Sequence, residues 1–382
     1  MTVRIFDHED LAAVKRVLDS GDLCSVSGTV SREFEEAFAQ MIGCKRAVAV
    51  NSGMAALHCA VYAAGAGAGD EVICDSMVQF GSMAAIYNNA VPVFADVQRD
   101  THLIDPESVR QRITPRTKAI ICTHLWGLPC DMDPIMQIAA EHGLAVIEDN
   151  AHALFAEYKG RVTGTLGHMA EFSFQMSKQL ALGDAGMVTT TEERFVEGLV
   201  DGSGIRGLAT FPKMMWNYRL NEVVAAIGLV QLKRARGYVE SAIANAQPYE
   251  EAIRGVEWIR PQRVPGDRKH SYHIWGAAFE GDRFGITRER FVAAIEAAGV
   301  NINVGYIQKA PYLYDTYTVP LAYGRGCPMH CPLQLREMNY RPGLCPVAED
   351  LMPRLMITGT VGTLAMHQEN AARLREAIAQ FN

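Results

Sequence analysis

Lys178 closes the run Phe172-Ser173-Phe174-Gln175-Met176-Ser177-Lys178, and a glycine-bearing turn, Gly183-Asp184-Ala185-Gly186, follows shortly after. A strand-like stretch delivers Ser173, whose hydroxyl can reach a phosphate oxygen, and a turn then presents the lysine among apolar and small neighbours. An amine attacks an aldehyde only when neutral, a state that burial and a nearby cation favour. A lone lysine is ordinarily a solvated surface group. The neighbours of Lys178 argue against that reading.

Val146-Ile147-Glu148-Asp149-Asn150-Ala151-His152 is an apolar run that ends in acids. If the run is a strand of a parallel sheet, its end is where such sheets gather ligands. Asp149 there suits a protonated pyridine nitrogen, which draws electrons from a neighbouring carbanion in pyridoxal 5'-phosphate (PLP) chemistry. His152 could stack near such a ring, hydrogen-bond its phenolic oxygen, or cap the strand as a satisfied core histidine. Asn51-Ser52-Gly53-Met54-Ala55-Ala56-Leu57 follows another apolar run and opens a helical pattern. A helix N-terminus offers amides and a dipole to a phosphate, and a plain N-cap accounts for the same residues equally well. Trp216-Asn217-Tyr218-Arg219-Leu220-Asn221-Glu222 reads by itself as an aromatic anchor and an N-cap.

The elements that must position these residues are legible as alternation. Runs at 46–50, 71–74, 91–95, 119–123, 145–148 and 171–174 have strand character, and 54–64, 106–113 and 132–142 have helical periodicity. Strands joined by helical crossovers imply an α/β fold, a mostly parallel sheet covered on both faces. The stretch 221–236 is apolar almost all round and predicts a buried helix. Beyond about residue 245 the texture changes to a helix at 288–298, a strand at 274–279 and a Pro/Cys/Tyr-rich loop from 317 to 346. The expected division is a large domain over 1–245 and a smaller α+β domain over 246–382.

At 382 residues, 49% hydrophobic and 21% charged, the chain can bury a sizeable core. The formal charge of −7, with acids and bases interspersed, points away from nucleic acid and towards a small-molecule partner. The N-terminus lacks a signal-peptide pattern and no run reaches membrane-spanning length, so a cytoplasmic protein is expected. The nine cysteines are scattered, as reduced thiols are. Cys327, Cys331 and Cys345 are irregularly spaced, so the expectation is no metal but a loop with buried thiols that lines the substrate entrance. His270 and His273, near Tyr272, could touch substrate, but an ordinary strand edge is the favoured reading.

In order, these segments resemble the DegT/StrS-type sugar aminotransferases of the PLP fold-type I superfamily, and the resemblance spans nearly the whole chain. It includes Gly69-Asp70-Glu71-Val72-Ile73, Pro92-Val93-Phe94-Ala95-Asp96-Val97, Ile113-Thr114-Pro115-Arg116-Thr117-Lys118, Gly127-Leu128-Pro129-Cys130-Asp131 and Asn217-Tyr218-Arg219-Leu220-Asn221-Glu222. The resemblance implies that Lys178 forms the Schiff base, that Asp149 pairs with the pyridinium nitrogen and that His152 stands where the family often has glutamine near the ring oxygen. It implies a phosphate held by Ser173 and the amides of Gly53 and Met54, with Phe80 stacked on the ring. Asn217 would reach the phosphate in a neighbouring subunit, which implies a homodimer with shared active sites. The implied reaction moves an amino group from glutamate or glutamine to a keto-sugar, nucleotide-linked in the first instance, or a keto-cyclitol, in amino-sugar, polysaccharide or antibiotic biosynthesis.

The chain departs from the family pattern at three places. Met54 stands for a frequent threonine, the stretch Asp75 to Gly81 is one residue short, and the turn after the lysine reads Gly-Asp-Ala-Gly rather than Gly-Glu-Gly-Gly. Two rival readings are a PLP lyase or dehydratase and a non-catalytic binding or regulatory protein on the same fold. Dehydrating relatives carry histidine in place of the lysine, and a non-catalytic relative would be expected to lose Asp149 or Lys178.

Overall fold

The computed structural model describes residues 4–205, 215–305, 307–319, 326–330, 332–333 and 338–381. The chain begins with α1 (His8–Ser20) and α2 (Val30–Ile42), then runs β1 (Arg46–Val50), α3 (Gly53–Ala63), β2 (Glu71–Asp75), α4 (Phe80–Tyr87), β3 (Val91–Ala95), α5 (Pro106–Arg112), β4 (Thr117–Thr123), α6 (Met132–His142) and β5 (Ala145–Asp149). The short β6 (Glu157–Tyr158) and β7 (Arg161–Val162) precede β8 (Met169–Ser173) and β9 (Gly186–Thr190), followed by α7 (Glu193–Ser203) and the long α8 (Glu222–Ala252). Next come β10 (Ile259–Pro261), β11 (Arg268–Lys269), β12 (Ile274–Phe279), α9 (Arg288–Ala297), β13 (Asn303–Val304), α10 (Asp315–Thr318), α11 (Pro346–Leu351), β14 (Leu355–Gly359) and α12 (Leu364–Ala379).

Seven strands form the main sheet in the order β1-β9-β8-β5-β4-β2-β3. The pairings from β8 through β5, β4 and β2 to β3 are parallel, and β9 runs antiparallel to both its neighbours. Successive residues of a strand point to opposite faces, and both faces here are apolar. Ile73 packs with Phe94, Ile120 and Val146 on one side, whereas Val72 and Cys74 pack with Ile121 and Ile147 on the other. Burial on both faces explains why the strands read as continuous apolar runs rather than alternating ones.

Parallel strands share one carboxyl edge. The carboxyl ends of β1, β2, β5 and β8 therefore lie together, with Gly53 opening α3 after β1, Phe80 opening α4 after β2, Asp149 ending β5 and Lys178 in the turn after β8.

The strand expected at 171–174 lies two residues earlier at its start and one earlier at its end, and the helix expected at 221–236 continues to Ala252. Along α8, Val239 and Ile243 pack with Phe34 and Phe38 of α2, while Ala246, Tyr249 and Ala252 pack with Trp275 and Leu374. The division expected at 245/246 thus falls inside one continuous helix that serves two cores. The second core sits on a four-stranded antiparallel sheet, β10-β12-β14-β13. Its aromatic centre stacks Phe279 on Phe291, with Trp258 edge-on to both.

Candidate active site

A cavity of about 300 Å³ opens at the carboxyl edge of the main sheet, and Gly53, Met54, Phe80, Asp149, Ser173 and Lys178 all line it. Its roof is the first turn of α3. Ser52 is an extended N-cap whose hydroxyl accepts from the Ala55 amide at 3.1 Å. The first amides of a helix have no acceptor within it, and Gly53 and Met54 occupy those positions. A Cβ at residue 53 would stand 2.2 Å from Glu171 Oε1 and 2.8 Å from Ser173 Cβ, so only glycine lets the helix start come this close to β8.

On the opposite wall, Asp149 is 2% exposed; it accepts from the Ala151 amide at 3.2 Å and from the Thr123 hydroxyl at 3.3 Å. Lys178 is half-buried in the turn that leaves β8, its amide donating to the Gln175 carbonyl at 2.8 Å. Burial holds its amine below the usual lysine range, against the opposing pull of Glu171 and Asp149. A half-buried amine with a lowered proton affinity beside a buried acid is the arrangement a carbonyl-attacking lysine needs.

His152 lies in an adjoining cavity of about 810 Å³ that shares Phe80 and Lys178 with the first. Its Nδ1 faces the Trp126 amide at 3.4 Å, and its ring stacks on His273 at 4.7 Å between centroids. Burial, then the nearby Lys178 cation, pushes both imidazoles well below the ordinary histidine value, so both are neutral near pH 7. Trp126 lines this cavity with a left-handed backbone (φ 62°), and its ring lies over Gly276, where a Cβ would come within 2.1 Å.

Asn217 is exposed on the segment before α8 and does not line either cavity of its own chain. The expected strand edge is corrected for His273, which lines the larger cavity; His270 is buried against Gln262 and the Tyr272 amide. In the loop after α10, Cys345 is buried with its thiol against the Phe94 carbonyl and Cys327 is half-buried, while Cys331 lies outside the described residues.

Three site residues escaped the sequence reading. Glu171 stands two residues before Ser173, on the same strand face, and a lone acid in an apolar strand was the available signal. His273 sits at the start of an apolar strand and gave only a weak one. Arg4 gave none: its guanidinium donates to the carbonyls of Met176 and Lys178 from the far end of the chain.

A helix N-terminus beside a strand-borne serine, a buried acid and a half-buried lysine, all on the carboxyl edge of a mostly parallel sheet, define the PLP-dependent enzymes of fold type I. The residues present fit that cofactor, because Gly53 keeps the helix start open over Ser173 and the buried Asp149 would supply an acid for the ring. The chain belongs to the DegT/DnrJ/EryC1/StrS aminotransferase family, whose profile matches residues 4–365. It is 37% identical to the spore coat polysaccharide biosynthesis protein SpsC of Bacillus subtilis over 312 residues, 76% of this chain and 78% of that one. It is 36% identical to the GDP-perosamine synthase of Caulobacter vibrioides over 300 residues, 77% of this chain and 80% of that one. Among solved structures it superposes on 3-amino-5-hydroxybenzoic acid synthase with a TM-score of 0.85 at 26% identity, covering 100% of this chain and 98% of the other. The protein is a PLP-dependent aminotransferase.

Proposed function

We propose that this aminotransferase moves the amino group of glutamate or glutamine onto the ketone of a nucleotide-linked keto-sugar, in the cytoplasm. The observation that carries the reading is the half-buried Lys178 amine, sharing one cavity with Asp149, Ser173 and the first turn of α3. The sugar is supported by the two relatives, whose names place one in spore coat polysaccharide biosynthesis and the other in GDP-perosamine synthesis. A keto-cyclitol is the second ketone class that fits the same chemistry. Cysteines as scattered and unpaired as these suit a reducing compartment.

The residues divide the work as follows. Ser173 and the amides of Gly53 and Met54 hold the phosphate at the helix start, where anions are favoured. Phe80 would cover the ring, Asp149 would pair with its nitrogen, and the neutral His152 would serve its phenolic oxygen. When bound, the cofactor supplies an electrophilic aldehyde and an electron-withdrawing ring. Lys178 would be the general base there, taking the proton from the donor's Cα and, in the second half of the reaction, delivering one to the former ketone carbon of the acceptor. Asn217, exposed and not lining the cavity of its own chain, would serve the phosphate of a second subunit, and the working unit would then be a homodimer.

The substrate test loads the enzyme with the amino group from glutamate, adds candidate ketones and follows the return of the visible absorption band. A nucleotide-linked keto-sugar is expected to restore it; restoration by keto-cyclitols alone would reassign the substrate, and failure with every ketone would refute the reading. Sedimentation of the active enzyme checks the assembly, where a fully active monomer would contradict the shared site.

A further inference from the structure

Glu171 has no part in the chemistry above, yet it occupies the centre of the cavity wall. It is paired in register with Asp149 across the parallel strands β5 and β8, so both side chains project from the same face at the same level. It is 1% exposed, its Oε2 makes no hydrogen bond among the described residues, and the Ala151 amide is the backbone group that favours its charged form. Its Oε1 lies under the first turn of α3, close enough to exclude any side chain at residue 53.

The Asp149 carboxylate lies within hydrogen-bonding reach of Glu171, and neither group is a donor when ionised. The charged and titratable groups facing the pair are Lys178 beyond β8, Asp184 on the same cavity wall, and Asp75 on β2, a third buried acid whose Oδ2 takes the Thr123 hydroxyl at 2.6 Å against 3.3 Å for Asp149. One half-buried amine cannot balance two buried carboxylates, least of all with a phosphate at the nearby helix start. Two carboxyl groups that share such a site hold one proton between them.

We propose that Glu171 is a positioning residue of the cofactor site, sharing one proton with Asp149 so that the pair carries a single negative charge and the Asp149 carboxylate is fixed against the pyridine nitrogen. This rests on the cofactor placement given under Proposed function. Burial, and then the neighbouring Asp149, hold the Glu171 carboxyl well above the ordinary glutamate range, in keeping with its being the proton carrier of the pair. Glutamine can replace it, because an amide keeps the donor, the volume and the neutral charge. Alanine cannot.

The experiment uses the reconstituted full-length enzyme, its Glu171→Gln variant and its Glu171→Ala variant. PLP affinity is read by titrating the cofactor-depleted protein, and the visible band is titrated against pH. Glu171→Gln is expected to keep the PLP dissociation constant within about twofold and the pH midpoint of the band unchanged. Glu171→Ala is expected to weaken PLP binding by about tenfold, the scale of one lost hydrogen bond to a charged group. A midpoint that falls by about one pH unit or more in Glu171→Gln would show that Glu171 carries a charge of its own and would overturn the proposal. So would an alanine variant that binds PLP as tightly as the parent. Should Glu171→Ala fail to fold, the glutamine midpoint decides by itself. A parent enzyme that shows no visible band with PLP would instead refute the underlying cofactor placement.

Discussion

Glu148 and Asp149 end the same strand one residue apart, and the two faces of β5 use them in opposite ways. Glu148 is fully buried and saturated. It accepts from His124 Nε2 at 2.9 Å and from the amides of Gly164, Leu166 and Gly167 at 2.7 to 2.8 Å. It is the fastening of the loop that leads into β8. Asp149, nearly as buried, accepts two longer bonds and lines a cavity beside an amine and a second acid. Buried polar groups in native proteins are nearly always satisfied. A saturated acid therefore marks architecture, while a buried acid left partly free beside a lysine marks a place that a ligand completes.

The sharpest way to break this contrast is on the cavity face. Lys178→Ala is expected to abolish the visible absorption band of the PLP-treated protein and to cut amino transfer by at least about a thousandfold, the scale of losing a general base. The fold should survive, so circular dichroism should match the parent. A variant that keeps the band would remove Lys178 from the chemistry. On the other face, Glu148→Ala leaves four buried donors without an acceptor. It is expected to cost about 3–5 kcal/mol of stability, the range for breaking a buried charged network. Denaturant unfolding measures it, and a loss under about 1 kcal/mol would mean that the loop re-forms around water.

A third buried acid sharpens the comparison through pH. Glu35 on α2 is 1% exposed, accepts from the Ala49 amide at 2.9 Å and from Arg46 at 3.2 Å, and burial pushes its carboxyl up to about 7. The native chain then holds a proton that the unfolded chain releases above the ordinary glutamate value of 4.5, so stability falls as pH rises between about 4.5 and 7. Glu35→Gln is expected to remove this fall, gaining on the parent by about 1–3 kcal/mol across that window. Unfolding curves at pH 5 and pH 8 that keep the same difference between the two proteins would dismiss the effect.

Much of this was legible before any coordinates. The strands at 46–50 and 91–95 and the helix at 132–142 stand where their periodicity put them. Gly53, Met54, Phe80, Asp149, Ser173 and Lys178, brought together in the sequence only by the family resemblance, line one cavity. β9 was missed, because Gly186–Thr190 is short and continues a glycine turn without a helix before it. It is the antiparallel member of the sheet because the segment 174–185 that leads from β8 holds no helix to carry the chain back along the sheet. His273 was misjudged because its sequence neighbours are those of a strand edge, whereas its stacking on His152 joins residues more than a hundred positions apart.

What the sequence determined by itself was the chemistry on offer: a lysine after a strand-borne serine, an acid at a strand end and a glycine at a helix start. These are local properties, set by residue type, by strand and helix period, and by the rule that parallel sheets expose their ligands at one edge. Tertiary structure alone decided which groups meet. Alternation assigns Glu171 to a face of its strand, but only the register of β8 on β5 sets it opposite Asp149. Only the path of the N-terminal segment brings Arg4 to the carbonyls of the lysine turn. Register and long-range docking depend on the whole core at once, so the proton shared by two acids is a property of the fold rather than of either residue.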